Sequence, residues 1–332
     1  MNAITTKIAT KNARAVKVDA DGLTKKQVKA IVDSARKAWI KSRIQTRQAA
    51  LAASIAAFRP FGSIENSDAV AMMRRLKSSS VDCVLTDPPY GIDIASWDGT
   101  VPSVDVWVEA FRILLPGAFC VVAAAPRTAH LTAAALEAAG FVVRDMLVWR
   151  YTQSFPGAQG LGGEWRSNLK TNQEPWIVAQ KPLERGLTLR ENWLIHGTGG
   201  VRTGATGSPG WRTNVLECPK PKPAERDLGC VPGKNYNLPR PKNSGVRSNS
   251  TNGQNWHPTV KPLGLMRALV RLFTPDLGVV VDPFMGSGST LVAAAAEGHA
   301  VFGADLCRGY WDMACDRVDW AYAHPHLVPG AV

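Results

Sequence analysis

Gly278-Val279-Val280-Val281-Asp282-Pro283-Phe284-Met285-Gly286-Ser287-Gly288-Ser289-Thr290, followed by an alanine-rich run to Glu297 and then Ala300–Asp305, sets the fold class of this 332-residue chain. It reads as a strand, a glycine-containing turn, a helix and a second strand ending in an acid. Gly286 and Gly288 let backbone approach a ligand closely, and the helix after them offers free N–H groups at its start. Asp305 stands 19 positions after Gly286, about where an acid grips ribose hydroxyls in a dinucleotide site. The third glycine of such a site is missing, because Leu291 takes its place. A dinucleotide site and a tight turn with no ligand both stay open at this point.

Working outward, the same alternation recurs. A helical segment near Asp68–Lys77 precedes the strand Val81–Thr86, and Val104–Leu115 reads as a helix ended by Pro116-Gly117. The strand Ala118–Ala124, the helix Thr128–Ala139 capped by Gly140, and strands at Phe141–Trp149 and Glu174–Gln180 follow. Around the opening segment lie the helix Leu263–Phe273 and a last helix near Tyr310–Ala323. Apolar, β-branched runs without strict alternation suit an α/β protein with a mostly parallel sheet and helices on both faces. From Tyr151 to about Trp256, Gly, Pro, Asn, Ser and Arg dominate, and the stretch reads as irregular. At the other end, residues 1–22 are polar and irregular and read as a disordered or DNA-touching tail, and Leu23 to about Phe58 has helical periodicity among Lys and Arg. Such a helix either packs its apolar face on the body or lies along phosphate. The expected divisions are a basic tail and helical extension (1–60), a first α/β segment (61–154), an irregular region (155–256) and a second α/β segment (257–332).

The net charge of +12 suits a polyanionic partner and is unevenly spread. Residues 1–50 carry 12 Lys/Arg against 3 Asp/Glu, and residues 201–250 carry 9 against 3, so positive charge concentrates away from the expected core. The six cysteines show no CxxC pair and no histidine partner at zinc spacing, which points to a reducing compartment and no metal. No apolar stretch is long enough to span a bilayer. A cytoplasmic protein without membrane contact is the expectation.

A second segment, Asp87-Pro88-Pro89-Tyr90, closes the apolar run from Val81 to Thr86. It puts a carboxylate, a rigid backbone carbonyl and an aromatic ring side by side at a strand end. By itself a proline pair is ordinary turn punctuation. Taken with Asp282–Thr290 and with His257-Pro258-Thr259-Val260-Lys261-Pro262, it resembles the β-group DNA amino-methyltransferases, whose DPPY, DPFxGSG(T/S)T and HPTxKP motifs these segments match. The resemblance spans roughly Ser63 to Val318. It implies a Rossmann-like domain with circularly permuted motif order, its catalytic half (61–154) and cofactor-binding half (257–332) separated by an irregular target-recognition insertion (155–256). The methyl donor would be S-adenosyl-L-methionine, and the acceptor an exocyclic base nitrogen in double-stranded DNA. Dimers are common in this family group, which leaves a homodimer open.

Residue by residue, the resemblance assigns catalysis to Asp87, Pro88, Pro89 and Tyr90. It assigns cofactor contacts to Asp282, Phe284, Gly286 and Gly288, with Thr290, Lys261, Asp305 and Asp68 as further candidates. The family's acid at position 305 is often Glu, so Asp305 has a shorter reach. DPPY is the usual form for adenine N6 and SPPY the more frequent one for cytosine N4, so Asp87 favours adenine. The chemistry explains the residue types. An exocyclic amine is a poor nucleophile because its lone pair is delocalised into the ring. Acceptors on its hydrogens, the Asp87 carboxylate and the Pro88 main-chain oxygen, favour a pyramidal nitrogen with an available pair. Two prolines hold those acceptors still, and Tyr90 can stack on a base taken out of the duplex. The Gly91–Gly99 loop, with Trp97 and Asp98, either closes over the site or packs and caps it. Within 155–256, Arg166, Lys170, Arg202, Arg212, Lys220, Lys222 and Arg240, interleaved with aromatics such as Trp165, suit contact with phosphate and base edges.

Overall fold

A computed structural model describes residues 5–8, 16–19, 23–56, 62–93, 97–153, 158–204, 213–238 and 254–331. A short antiparallel hairpin, β1 (Thr5–Ile8) and β2 (Val16–Asp19), stands where the sequence suggests an irregular tail, and it leads into the long helix α1 (Lys25–Ala56). Next come β3 (Ile64–Asn66), α2 (Ala69–Arg75), β4 (Val81–Thr86), α3 (Val104–Ile113), β5 (Leu114–Ala123), α4 (Ala129–Ala138) and β6 (Val142–Arg150). The middle of the chain supplies the hairpin β7 (Gly160–Gly162) and β8 (Trp165–Arg166), then β9 (Gln173–Gln180), α5 (Leu189–His196), β10 (Val215–Glu217) and α6 (Pro223–Arg226). The last part adds α7 (Leu263–Phe273), β11 (Val279–Asp282), α8 (Ser289–Ala296), β12 (Ala300–Asp305) and α9 (Arg308–Ala323).

Eight strands form one sheet in the order β10-β6-β9-β5-β4-β11-β12-β3. All neighbours are parallel except around β9, which runs antiparallel to both β5 and β6. The pleat sends alternate residues to opposite faces. Cys83 and Leu85 of β4 join one apolar layer with residues of α7, α8 and α9, while Val84 joins the other with residues of α2, α3 and α4. Helices therefore cover both faces, as the uninterrupted apolar strands require. From β4 the chain proceeds outward to β5, and from β11 outward the other way to β12. The adjacent carboxyl ends of β4 and β11 are thus a topological switch point, where an open α/β sheet leaves a crevice.

Two further expectations need correction. The helix expected over Val104–Leu115 stops at Ile113, and β5 starts at Leu114 and runs through Pro116-Gly117. Pairing jumps from Val81 with Leu114 to Cys83 with Phe119, so the intervening residues bulge out of the ladder. Gly117 has φ +80°, and a Cβ there would sit 2.6 Å from the side-chain nitrogen of Asn192. The Pro-Gly pair serves a bulge inside the strand and not a helix end.

The stretch from Tyr151 to Trp256 is also less irregular than its composition suggests. β9 lies in the middle of the sheet, β10 extends its edge, and α5 carries a Thr188–Glu191 capping box and a left-handed Gly197 at its end. The span 155–256 is therefore not structurally detached from the catalytic body. At the amino end, α1 buries Val28 and Val32, and its Arg36 and Arg43 pair with Glu191 and Glu184 around α5. Among the described residues no helix is long and apolar enough to cross a membrane.

Candidate active site

β4 is buried along nearly its whole length and ends where Pro88 and Pro89 can donate nothing to a ladder. The turn beyond is tied down by the buried Asp98, whose carboxylate accepts from the backbone N–H groups of Tyr90 (2.5 Å), Gly91 (2.9 Å) and Ile92 (3.3 Å). Of the two roles open to Asp98, capping is the one seen. The Tyr90 hydroxyl donates to Asp87 Oδ1 at 2.5 Å and also lies 3.3 Å from Glu174 Oε2. Lys261 Nζ donates to Asp87 Oδ2 at 2.5 Å and stands 3.4 Å from Glu174 Oε2. Burial pushes the Asp87 carboxyl above its ordinary value, with Lys261 opposing and Glu174 adding to the rise. Burial disfavours the Lys261 charge, but Asp87 and Glu174 outweigh it and hold that lysine above its usual value. Burial and the same two carboxylates keep the Tyr90 phenol protonated and hence a donor.

On the neighbouring strand, Asp282 accepts from the Thr86 hydroxyl (2.6 Å) and from Phe284 N–H (3.1 Å), which stitches the ends of β4 and β11 together. Burial raises its carboxyl to about 6, against hydrogen bonds from Thr86, Thr290 and Phe284. Gly286 sits at φ +51°, where a Cβ would approach His257 Nε2 to 2.7 Å. Its N–H donates to Asp305 Oδ2 (3.0 Å), and Cys307 N–H donates to Oδ1 (2.7 Å). Burial raises the Asp305 carboxyl to about 6 as well, against those two backbone bonds. Gly288 is the left-handed N-cap of α8. Behind it, Ser289 Oγ is buried with no hydrogen-bond partner among the described residues.

A cleft opens over these two strand ends, lined by Asp68, Pro88, Tyr90, Phe284, Asp305 and Tyr310 among others. A smaller recess shares Asp87, His257, Phe284 and Gly286 with it and adds Lys261, Asp282, Ser289 and Thr290. His257 borders both. Its Nδ1 accepts from Thr259 N–H (3.3 Å), leaving the ring proton on Nε2. Its ring stacks with Trp97 (5.9 Å) and meets Tyr310 edge-on (4.6 Å). Burial, with Lys261, Arg226 and Arg317 nearby, lowers its pKa to about 3 and keeps it neutral.

The fold brings together most residues that the sequence singled out. Asp87, Pro88, Pro89, Tyr90, Asp68, Phe284, Gly286 and Asp305 border the cleft, and Asp282, Thr290 and Lys261 the recess. Gly288 borders neither and backs onto Ala314. Asp68 spends Oδ1 on capping α2, accepting from Val70 and Ala71 N–H. Lys261, expected at the cofactor, borders the recess and forms its ion pair with Asp87.

The basic candidates scatter more widely. Lys220 follows β10 at the cleft end and lies over the Tyr151 ring (4.3 Å), and Lys222 is exposed just beyond it. Arg166 and Lys170 are exposed around the β7–β8 hairpin. Arg202 is elsewhere: it pairs with Asp276 and its N–H donates to Leu272, at the amino end of β11 and opposite the cleft. Arg212 and Arg240 lie outside the described residues. Sequence reasoning missed Glu174, which appeared only as the first residue of a strand, and His257. Only its place in the HPTxKP segment drew attention to His257.

The N6_N4_Mtase family model, described as DNA methylase, matches residues 81–316, and the chain belongs to this family. It is a DNA methyltransferase of the N6/N4 type, and the family is S-adenosylmethionine-dependent. The chain is 27% identical over 314 residues to the type II methyltransferase M.HindIII of Haemophilus influenzae, covering 77% of this chain and 94% of that one. It is 24% identical over 269 residues to the DNA adenine methyltransferase YhdJ of Escherichia coli, covering 78% and 83%. Among solved structures it shares its fold with the cytosine-N4-specific PvuII DNA methyltransferase, at a TM-score of 0.53 and 12% identity over 80% of this chain and 92% of that one.

Proposed function

We propose that this DNA methyltransferase is site-specific and methylates adenine N6 in double-stranded DNA, on a base turned out of the helix. The observation that carries the reading is Asp87, set by a strand end and two prolines in the wall shared by the cleft and its recess. Its likeness to YhdJ, a DNA adenine methyltransferase, supports the choice of adenine.

The residues present fit S-adenosylmethionine. Asp305 at the cleft suits ribose hydroxyls, Phe284 and Pro88 suit a flat heterocycle, and the recess suits the methionine end. There the unpartnered Ser289 hydroxyl, in a buried position that normally demands a partner, is free for a polar group. S-adenosylmethionine held there would supply an electrophilic methyl group on a cationic sulfur, with a neutral thioether as the leaving group. The protein's own work is alignment and acid–base handling. Asp87 accepts an amine hydrogen and then the released proton, Tyr90 offers a stacking ring, and the apolar walls limit water. Arg166, Lys170, Lys220 and Lys222, all at the cleft end of the sheet, would hold the backbone of the duplex.

The test is to incubate the protein with labelled S-adenosylmethionine and unmodified DNA, then identify the modified nucleosides by mass spectrometry. N6-methyladenine is expected. N4-methylcytosine would keep the fold and mechanism and overturn the base assignment, and the absence of any product would overturn the enzymatic reading.

A further inference from the structure

Asp87 is enclosed by side chains from three other positions, and their charges do not balance. Lys261 Nζ lies 2.5 Å from Asp87 Oδ2 and 3.4 Å from Glu174 Oε2. Tyr90 Oη lies 2.5 Å from Asp87 Oδ1 and 3.3 Å from that same Glu174 oxygen. The four groups form a closed ring in which one ammonium faces two carboxylates. Glu174 lines neither the cleft nor the recess, so it acts on a target base only through its partners.

Without Glu174, Asp87 and Lys261 would be a simple neutral pair. The ammonium would then claim the carboxylate that the amine needs, and its charge would oppose the positive charge that develops on a nitrogen being methylated. A second carboxylate within reach of the same two donors changes this. It draws on Lys261 and Tyr90 together and leaves the ring net negative.

We propose that Glu174 is a positioning residue for methyl transfer: by sharing Lys261 and Tyr90 with Asp87, it keeps Asp87 available as an acceptor for the target amine. The inference rests on the methyl-transfer reading of the site. Its backbone suits the role. Glu174 precedes Pro175, which confines it to extended conformation, and it pairs with Trp149 of β6 inside the sheet. The carboxylate is therefore carried by a rigid strand and not by a loop. The other charged or titratable groups nearby are Asp282 from β11, Lys220 and Tyr151 beside Glu174, and His257 near Lys261. Among the influences on Asp87, Glu174 raises its proton affinity while Lys261 lowers it.

Glu174→Gln, which keeps the shape and removes the charge, tests this in two ways. In steady-state methylation of DNA, kcat should fall by at least about tenfold while KM for S-adenosylmethionine stays within about twofold, and Glu174→Asp should recover part of the loss. In the free protein, the Asp87 carboxyl followed by carbon-13 NMR, assigned by its disappearance in Asp87→Asn, should titrate at lower pH in Glu174→Gln than in wild type. An unchanged kcat or an unmoved Asp87 midpoint overturns the proposal. Should Glu174→Gln not fold, Glu174→Asp put through both measurements decides, since a retracted carboxylate should shift both in the same direction. A wild-type protein that transfers no methyl group would sink the functional reading instead, and the NMR titration would still decide whether Glu174 controls Asp87.

Discussion

The loop after β4 presents its working groups on side chains, whereas the loop after β11 presents them on backbone. The first depends on Asp87 and Tyr90, with Lys261 and Glu174 brought in from distant parts of the chain. The second depends on Gly286, whose amide is held by Asp305, and on the start of α8 behind Gly288. The two loops leave neighbouring parallel strands at the same end and share the Thr86–Asp282 hydrogen bond. The proposed function accounts for their difference. Handling an amine proton needs a charged group whose proton affinity the surroundings can set, while cradling a cofactor needs close backbone approach, which side chains would obstruct.

The comparison breaks most sharply by exchanging one residue in each loop. Asp87→Ala should lower methyl transfer by on the order of 1000-fold while cofactor binding, measured by calorimetry, persists. Gly286→Ala should do the reverse and weaken cofactor binding first, by about tenfold, because a left-handed φ disfavours a Cβ by roughly 1–2 kcal/mol. His257 cannot give way easily to that Cβ, since Trp97 and Tyr310 hold its ring. If Asp87→Ala loses cofactor binding as completely as transfer, the division of labour between the loops is wrong.

A smaller effect separates the loops by pH. Asp305 has its carboxyl pushed up to about 6 by burial, so it is ionised at neutral pH and protonates as pH falls through that value. The contact proposed for it with ribose hydroxyls would need the carboxylate as acceptor. Cofactor affinity should therefore weaken as pH drops below about 6, and Asp305→Asn should flatten that part of the calorimetric profile. A profile equally steep in the variant would assign the pH dependence to another group.

The smallest expected change concerns DNA. Lys222→Ala should reduce the slope of log affinity against log salt by roughly one, while Arg202→Ala should leave it unaltered, because Arg202 lies at the opposite end of the sheet. Equal effects from both would mean that the duplex does not approach from the cleft end.

How much of this was legible in the chain depends on the range of the signal. β4, α7 and β12 have the bounds that their apolar runs suggest, because burial on both faces, or on one helical stripe, leaves a local pattern. β5 was misjudged at its start because Pro116-Gly117 carries the same local signature in a bulge as at a helix end, and only pairing with Val81 distinguishes them. α5 was overlooked although Thr188, Glu191 and Gly197 mark both of its ends, because its residues have no strong apolar face. Glu174 left no local trace at all. Its significance lies in Lys261, 87 positions away, and Tyr90, 84 positions away.

The sequence by itself determined the chemistry: a carboxylate and prolines at one strand end, and glycines with a following acid at another. Those depend on residue type and near-neighbour spacing, which a linear chain states outright. Only the tertiary structure decided that the two strand ends are adjacent, that Lys261 serves Asp87, that Arg202 faces away and that Glu174 completes the ring. These outcomes depend on strand order and on which groups share a buried space. The sheet fixes both by packing over long separations, and no short window of sequence encodes them.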